Sequence, residues 1–344
     1  MKSKTTVQDI ADSLNLSRAT VSKVLNNVPG VSDNTKQAVL VKVQELNYKN
    51  ADRILTNTSK SVRNHARNFA FLMHSRPDDL HVGSTIMTQL EQEIRKEGYS
   101  LTIHTITDED ISRTELPPNL YIDQTEAIVC LELFNDRYSR LLCSLNLPVL
   151  FVYACFSFNS LGLKCDLLMM ENRSSVYQML TTLCNRHCIK TMGFFGDNRH
   201  CLSFLERYEG FQLAALDCQV VTEPYSIIDS DLLYSNLEWI EERIIKMKQL
   251  PQLFFCANAV LARNLILALE KLGYQIPKDI LICGFDGIPT QIPIINSLTT
   301  VRTPSTELGS AAAQLLKQRI QNPNTTYAST YLRTDILYRA SAAL

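Results

Sequence analysis

The sequence has no apolar run long enough to span a bilayer, and Met1-Lys2-Ser3-Lys4 leads into a polar capped segment instead of an apolar signal stretch. A cytoplasmic protein is the expectation. Catalytic signatures are also missing. None of the 11 glycines builds a Gly-x-Gly-x-x-Gly, a phosphate loop or a Gly-x-Ser-x-Gly, and no nucleophile stands at recognisable spacing from a base. Neither an enzyme nor a cofactor is expected. Zinc spacing is absent too: Cys184, His187, Cys188, His200 and Cys201 form the densest group of candidate ligands, yet they match no standard pattern. Core packing is preferred over a metal. Several of the ten cysteines lie in apolar runs such as Ala127-Ile128-Val129-Cys130 and Phe254-Phe255-Cys256, as suits a reducing compartment. No heptad run precedes Leu344, so nothing in the sequence calls for a tetramer.

What is present begins with the first sixty residues. At 344 residues and 45% hydrophobic, the chain is long enough for a small head and a large body with its own core. Thr6-Val7-Gln8-Asp9 reads as a capped helix start, and Val7, Ile10, Ala11 and Leu14 form a buried stripe. After Asn15 and Leu16, Ser17 caps a second helix in which Val21, Val24 and Leu25 recur on one face. Arg18, Ala19, Ser22 and Lys23 occupy the other. This is a helix-turn-helix pattern, whose second helix suits a major groove. Val28, Pro29 and Gly30 then break the chain, Ser32 caps a third helix, and Val39, Val43 and Leu46 carry its apolar stripe.

Charge is uneven along the chain. Residues 1–63 hold ten Lys and Arg against five acids, a balance of +5, whereas the whole chain is −1, so the remainder carries −6. A basic head concentrates phosphate affinity at one end. Residues 55–64 form a polar linker without apolar period. From Phe69 onward strands alternate with helices: Phe69–His74, Tyr99–Thr105, Ala127–Leu131 and Val149–Tyr153 in a first βα series. A second is predicted to start at Leu167–Met170. It continues with strands Thr191–Phe195, Tyr225–Ile228, Leu253–Cys256 and Ile280–Cys283, the last three separated by helices Leu232–Met247 and Val260–Leu272. Two doubly wound halves place a small-ligand cleft at their carboxyl strand edges.

The linked motifs Thr6-Val7-Gln8-Asp9-Ile10-Ala11, Ser17 to Asn26, Val31 to Lys36 and Leu46-Asn47-Tyr48 resemble the head of the lactose-repressor family of bacterial transcription regulators. Arg207-Tyr208-Glu209-Gly210-Phe211, Asp279 to Asp286, Ser297 to Val301 and Glu307-Leu308-Gly309 resemble its effector domain, which is similar to periplasmic sugar-binding proteins. The implied architecture is an all-α helix-turn-helix head, residues 1–50, a hinge and linker, 51–66, and an α/β periplasmic-binding-protein-like body of two doubly wound subdomains, 67–344. Within the body, 67–156 plus 288–321 is expected to form one subdomain and 160–286 plus 325–340 the other.

The resemblance implies a homodimer that reads operator DNA. Arg18, Ala19, Ser22 and Lys23 would meet base edges. Lys2, Lys4, Ser17, Thr20, Asn26, Ser32 and Thr35 would hold the phosphate backbone. A hinge helix would push Leu55, or else Ile54, into the minor groove, although the segment lacks the family's proline and is about two residues short. The implied effector set is Arg207, Asn258 and Asp286, with His74 and Tyr153 added. The expected ligand is a sugar or sugar phosphate controlling a repressor of carbohydrate use. Each effector residue also has a packing role open to it: Arg207 paired with Glu206 or Glu209, Asn258 as a helix cap, Asp286 as a strand end. Two other functions share parts of the pattern, a solute-binding protein and an architectural DNA binder without an effector.

Overall fold

The computed structural model describes residues 5–26, 28, 30–46, 48, 68–74, 82–287 and 293–343. The chain divides into two compact units, Met1–Arg67 and Asn68–Leu344.

In the first unit, α1 (Val7–Ser13), α2 (Arg18–Leu25) and α3 (Asp33–Glu45) enclose a core of Ile10, Ala11, Val21, Val24, Val39 and Val43. None of the six is more than 2% exposed, and Val7, Leu14, Leu25 and Leu46 pack around them. Local chemistry sets the helix starts. Thr6 and Asp9 form a reciprocal capping box, and the Ser17 hydroxyl accepts from the Thr20 backbone N–H at 3.1 Å. Asn15, at φ 52°, supplies the left-handed residue that turns α1 into α2. Lys2, Lys4, Ile54, Leu55 and the predicted hinge lie outside the described residues.

In the second unit, chain order gives β1 (Asn68–Met73), α4 (Val82–Lys96), β2 (Ser100–Thr105), α5 (Asp108–Arg113), β3 (Ala127–Leu133), α6 (Asp136–Cys143), β4 (Val149–Ala154) and β5 (Asp166–Met170). Next come α7 (Arg173–His187), β6 (Met192–Phe195), α8 (Leu202–Asp217), α9 (Leu237–Ile245), β7 (Leu253–Cys256), α10 (Ala259–Lys271) and β8 (Leu281–Phe285). The chain ends with α11 (Pro293–Ser297), β9 (Thr299–Arg302), α12 (Ser305–Gln321), β10 (Ser329–Leu332) and β11 (Asp335–Leu337). One sheet runs β10-β5-β4-β3-β1-β2 with every pair parallel; the other runs β11-β9-β8-β7-β6, parallel except for β11. Helices cover both faces of such sheets, which is why β1, β4 and β5 are buried along their whole length and, apart from Asn68 and Asp166 at their starts, read as apolar runs.

Several expectations change here. The strand predicted to open the second half, Leu167–Met170, belongs instead to the first sheet, paired with β4 from Leu150↔Asp166 to Val152↔Leu168 and with β10 on its far side. Conversely β9, expected in the first subdomain, lies in the second sheet beside β8. The chain therefore changes sheets after β5, after β9 and after β10, at Glu171-Asn172, Thr303-Pro304 and Arg333-Thr334. Order in sequence told only that strands exist; pairing decides where they go. The predicted strand Tyr225–Ile228 makes only a single bridge beside β6, Phe195↔Ile227, with a second, Thr191↔Val221, just upstream of it. The predicted helix Leu232–Met247 is broken, because Asn236 leaves a short 3-10 turn and caps α9 through the Trp239 N–H at 3.1 Å.

Two contacts fix the body's framework. A Cβ at Gly210 would come within 2.4 Å of the Arg173 carbonyl, so only glycine lets α8 approach α7 this closely. Arg319 of α12 and Asp166 of β5 form a bidentate pair, both bonds 2.8 Å, with their side chains 7% and 8% exposed. The same guanidinium donates to the carbonyls of Thr325 and Thr326, binding the approach to β10 onto α12.

Candidate DNA-reading helix and effector cleft

On α2 the buried positions Val21 and Val24 turn the helix so that Arg18, Ala19 and Lys23 are exposed and Ser22 half-buried. The outward face is thus cationic at two positions and small between them, as an approach to base edges requires. Most hydroxyls expected on phosphates have local partners. Ser17 and Thr20 share a hydrogen bond of 2.8 Å, Ser32 and Thr35 one of 2.7 Å, and Asn26 donates back to the Ser22 carbonyl at 2.9 Å. These bonds cap or close helices and hold the outward face in place.

In the body a cavity of about 170 Å3 opens at the carboxyl ends of β3, β4, β5, β7 and β8. Arg207, only 2% exposed, lies at its floor. It does not pair with Glu206 or Glu209 on a solvated face. Its Nη1 and Nη2 each reach an Asp286 carboxylate oxygen at 3.1 Å, Nη1 also donates to the Ala257 carbonyl at 2.7 Å, and Nε donates to Asn172 Oδ1 at 3.0 Å. The guanidinium also lies 3.7 Å above the Phe285 ring. Asp286 follows β8 at φ 64° and receives a further bond from the Thr303 hydroxyl at 3.0 Å. Asn258 lines the cavity while its side chain caps α10 through the Leu261 N–H at 2.8 Å, so its packing role holds as well.

Tyr153 lines the cavity, whereas His74 is not among the lining residues: its Nε2 lies 2.8 Å from Asp108 Oδ1 at an exposed position. Burial first, then the negative charges of Asp286 and Glu132, push the Tyr153 phenol well above its usual value, with Arg207 opposing. The phenol stays a donor. Glu132, Phe134, Ser203 and Phe204, none of them among the expected effector residues, also line the cavity. Glu132 had a usable signal, a carboxylate ending the apolar run of β3. His200 and Cys201, weighed above for metal, face the cavity instead, and burial raises the Cys201 thiol to about 12. Among the described residues no group of three His, Cys, Asp or Glu side chains is placed to hold a metal, and no helix is long and apolar enough to cross a membrane.

The sequence model described as bacterial regulatory proteins, lacI family, matches residues 6–50, and that of a periplasmic binding protein-like domain matches 182–342. The chain belongs to the lacI family of bacterial regulatory proteins. Among relatives of this lacI-family chain, an HTH-type transcriptional repressor PurR from Mannheimia succiniciproducens is 23% identical over 98% of both sequences. A ribose operon repressor from Haemophilus influenzae is 26% identical, again over 98% of each. In fold it is similar to the lac repressor dimer bound to operator and an anti-inducer, with a TM-score of 0.67 at 18% identity, covering 99% of this chain and all of that one. A CelR–cellobiose complex gives the same score and identity, over 98% of this chain.

Proposed function

We propose that the protein is a cytoplasmic homodimeric repressor of a carbohydrate-utilisation operon whose hold on operator DNA responds to a small polar effector in the body's cleft. The observation that carries this is the Arg207–Asp286 pair. It is buried at the floor of a cavity and bonded through Asn172 and Thr303 to two of the three segments where the chain changes sheets. A ligand that draws on Asp286 or Arg207 pulls on those crossings, and a difference in affinity between two angles of the halves shifts their population. Arg18 supplies a bidentate contact to guanine, Ala19 meets a thymine methyl, and Ser22 and Lys23 complete the base-facing set. Ser17, Thr20, Asn26, Ser32 and Thr35, with Lys2 and Lys4, fix the register on phosphates, and Leu55 or Ile54 enters the minor groove. Arg207, Asn258, Asp286 and Tyr153 receive the effector.

Selection from random duplexes at low salt, followed by binding to single-base variants of the winner, tests the head. Arg18→Ala should lower discrimination at one base pair by about 1–3 kcal/mol. Equal affinity of the wild type for every duplex would overturn the proposal. The similarity to a transcriptional repressor PurR and a ribose operon repressor, and to a regulator in complex with cellobiose, supports an effector-controlled repressor.

A further inference from the structure

The connection from β4 to β5, residues 155–165, is stitched to α6 along one helix face. Asp136, Arg140 and Cys143 recur at helical spacing, and each meets a residue of that connection. Asp136 accepts from the Ser157 hydroxyl at 2.5 Å, Arg140 donates to the Leu161 carbonyl at 3.2 Å, and the Cys143 sulfur accepts from the Cys165 thiol. Phe158, edge-on to Phe151 at 5.4 Å, seats the middle of the connection in the core. Immediately after Cys165, Asp166 is clamped by Arg319. The two sulfurs are thus held together by contacts on either side that do not involve them.

Their surroundings differ. Cys143 ends α6 and is half-buried, whereas Cys165 is 6% exposed. The bond received from Cys165 lowers the Cys143 thiol below its usual value, against burial, while giving that bond, and then burial, raise Cys165. The thiolate is the nucleophile in thiol oxidation, and a neighbouring thiol resolves the oxidised sulfur. Cys130 of β3, fully buried nearby, stays protonated. Cys184 and Cys218 also touch, but burial raises both.

We infer that Cys143 and Cys165 form a modification site at which a hydroperoxide makes a reversible disulfide, Cys143 reacting first and Cys165 resolving it. The Cys143 thiolate attacks a peroxide oxygen, the O–O bond breaks, and the leaving alkoxide or hydroxide takes up a proton, which leaves a sulfenic acid on Cys143. The Cys165 sulfur then attacks the Cys143 sulfur, the S–OH bond breaks, and the hydroxide departs as water with the Cys165 proton. The two thiols lose two electrons and the peroxide gains them. Neither residue lines the cleft, so the site requires no effector.

Full-length protein, reduced and freed of reductant, is treated with a small excess of hydrogen peroxide, quenched with N-ethylmaleimide and digested without reduction for mass spectrometry. The Cys143–Cys165 linked peptide should be the first bridge to appear, ahead of Cys184–Cys218, and dithiothreitol should remove it. With dimedone present during oxidation, Cys165→Ser should be labelled at Cys143, and Cys143→Ser should be labelled at Cys165 at least tenfold less. The assignment is overturned if Cys143 and Cys165 stay unlinked, if either bridges another cysteine such as Cys130 first, or if the tenfold difference in labelling is missing. The bridge is read on the wild type, so that arm decides the assignment even where a serine variant fails to fold.

Discussion

The body contains two buried arginine–aspartate pairs that do different work. Arg319 and Asp166 are closed: both side chains are under 10% exposed, Asp166 also accepts the Ala328 N–H at 3.0 Å, and the arginine's remaining donors reach loop carbonyls. Arg207 and Asp286 are open on one side, with the arginine 2% but the aspartate 23% exposed into the cleft. The bonds are alike in kind, yet one pair is finished by the chain and the other leaves acceptor capacity for something outside it. Satisfaction by the protein's own groups separates a structural pair from a binding one.

The sharpest test of that contrast removes the closed pair. Arg319→Ala leaves the Asp166 carboxylate buried and uncompensated, so global stability should drop by about 3–5 kcal/mol in a denaturant titration. Operator selectivity of the remaining folded protein should persist. Little loss of stability would erase the distinction drawn between the pairs. Next in size is Arg207→Ala, which leaves Asp286 with cleft solvent and the Thr303 hydroxyl. Stability should fall by about 1–3 kcal/mol, less than at Arg319, while ligand-dependent change in operator affinity disappears. If ligand response survives, the open pair is merely structural.

A smaller change probes how the open pair reaches the crossings. Asn172 donates to Glu206 at 2.7 Å and to the Met170 carbonyl at 2.9 Å, and accepts from Arg207. Asn172→Ala should lower stability by about 1–2 kcal/mol. It should also weaken the effect of ligand on operator binding more than it weakens ligand binding itself. Parallel losses in the two measurements would place Asn172 in the binding site alone.

How much of this could be seen in the sequence follows the distance over which each feature is determined. The head was legible almost throughout, because Ser17 capping Thr20 and the Val21–Val24 stripe are settled within one helix. Arg207, Asn258 and Asp286 were found through motif resemblance, although Gly210 in the same motif proves to serve helix packing. The Arg319–Asp166 pair, 153 residues apart, left no local mark. Nor did the exchange of β5 and β9 between sheets, since an apolar strand does not name its neighbours. Glu132 and Ser203 were missed for a related reason: a twist at one strand end and the start of one helix decide which side chains enter the cleft.

The smallest effect expected is one of protonation at Glu206, which stands between the open pair and the first sheet. Its carboxylate accepts from Tyr331 of β10 at 2.7 Å and from Asn172 at 2.7 Å. Burial raises this carboxyl above its ordinary value despite those bonds and the nearby Arg173 charge. A carboxyl with a higher affinity for protons in the folded state favours folding most below its unfolded value, about 4.3, and that contribution fades as pH rises through the raised one. Wild type should therefore lose stability relative to Glu206→Gln across that window, and the difference should level off at higher pH. Glutamine keeps one acceptor and adds a donor, so a constant offset from the changed hydrogen bonds is expected as well. Only the pH-dependent part reports the proton, and two parallel stability curves would show that Glu206 contributes by its hydrogen bonds alone.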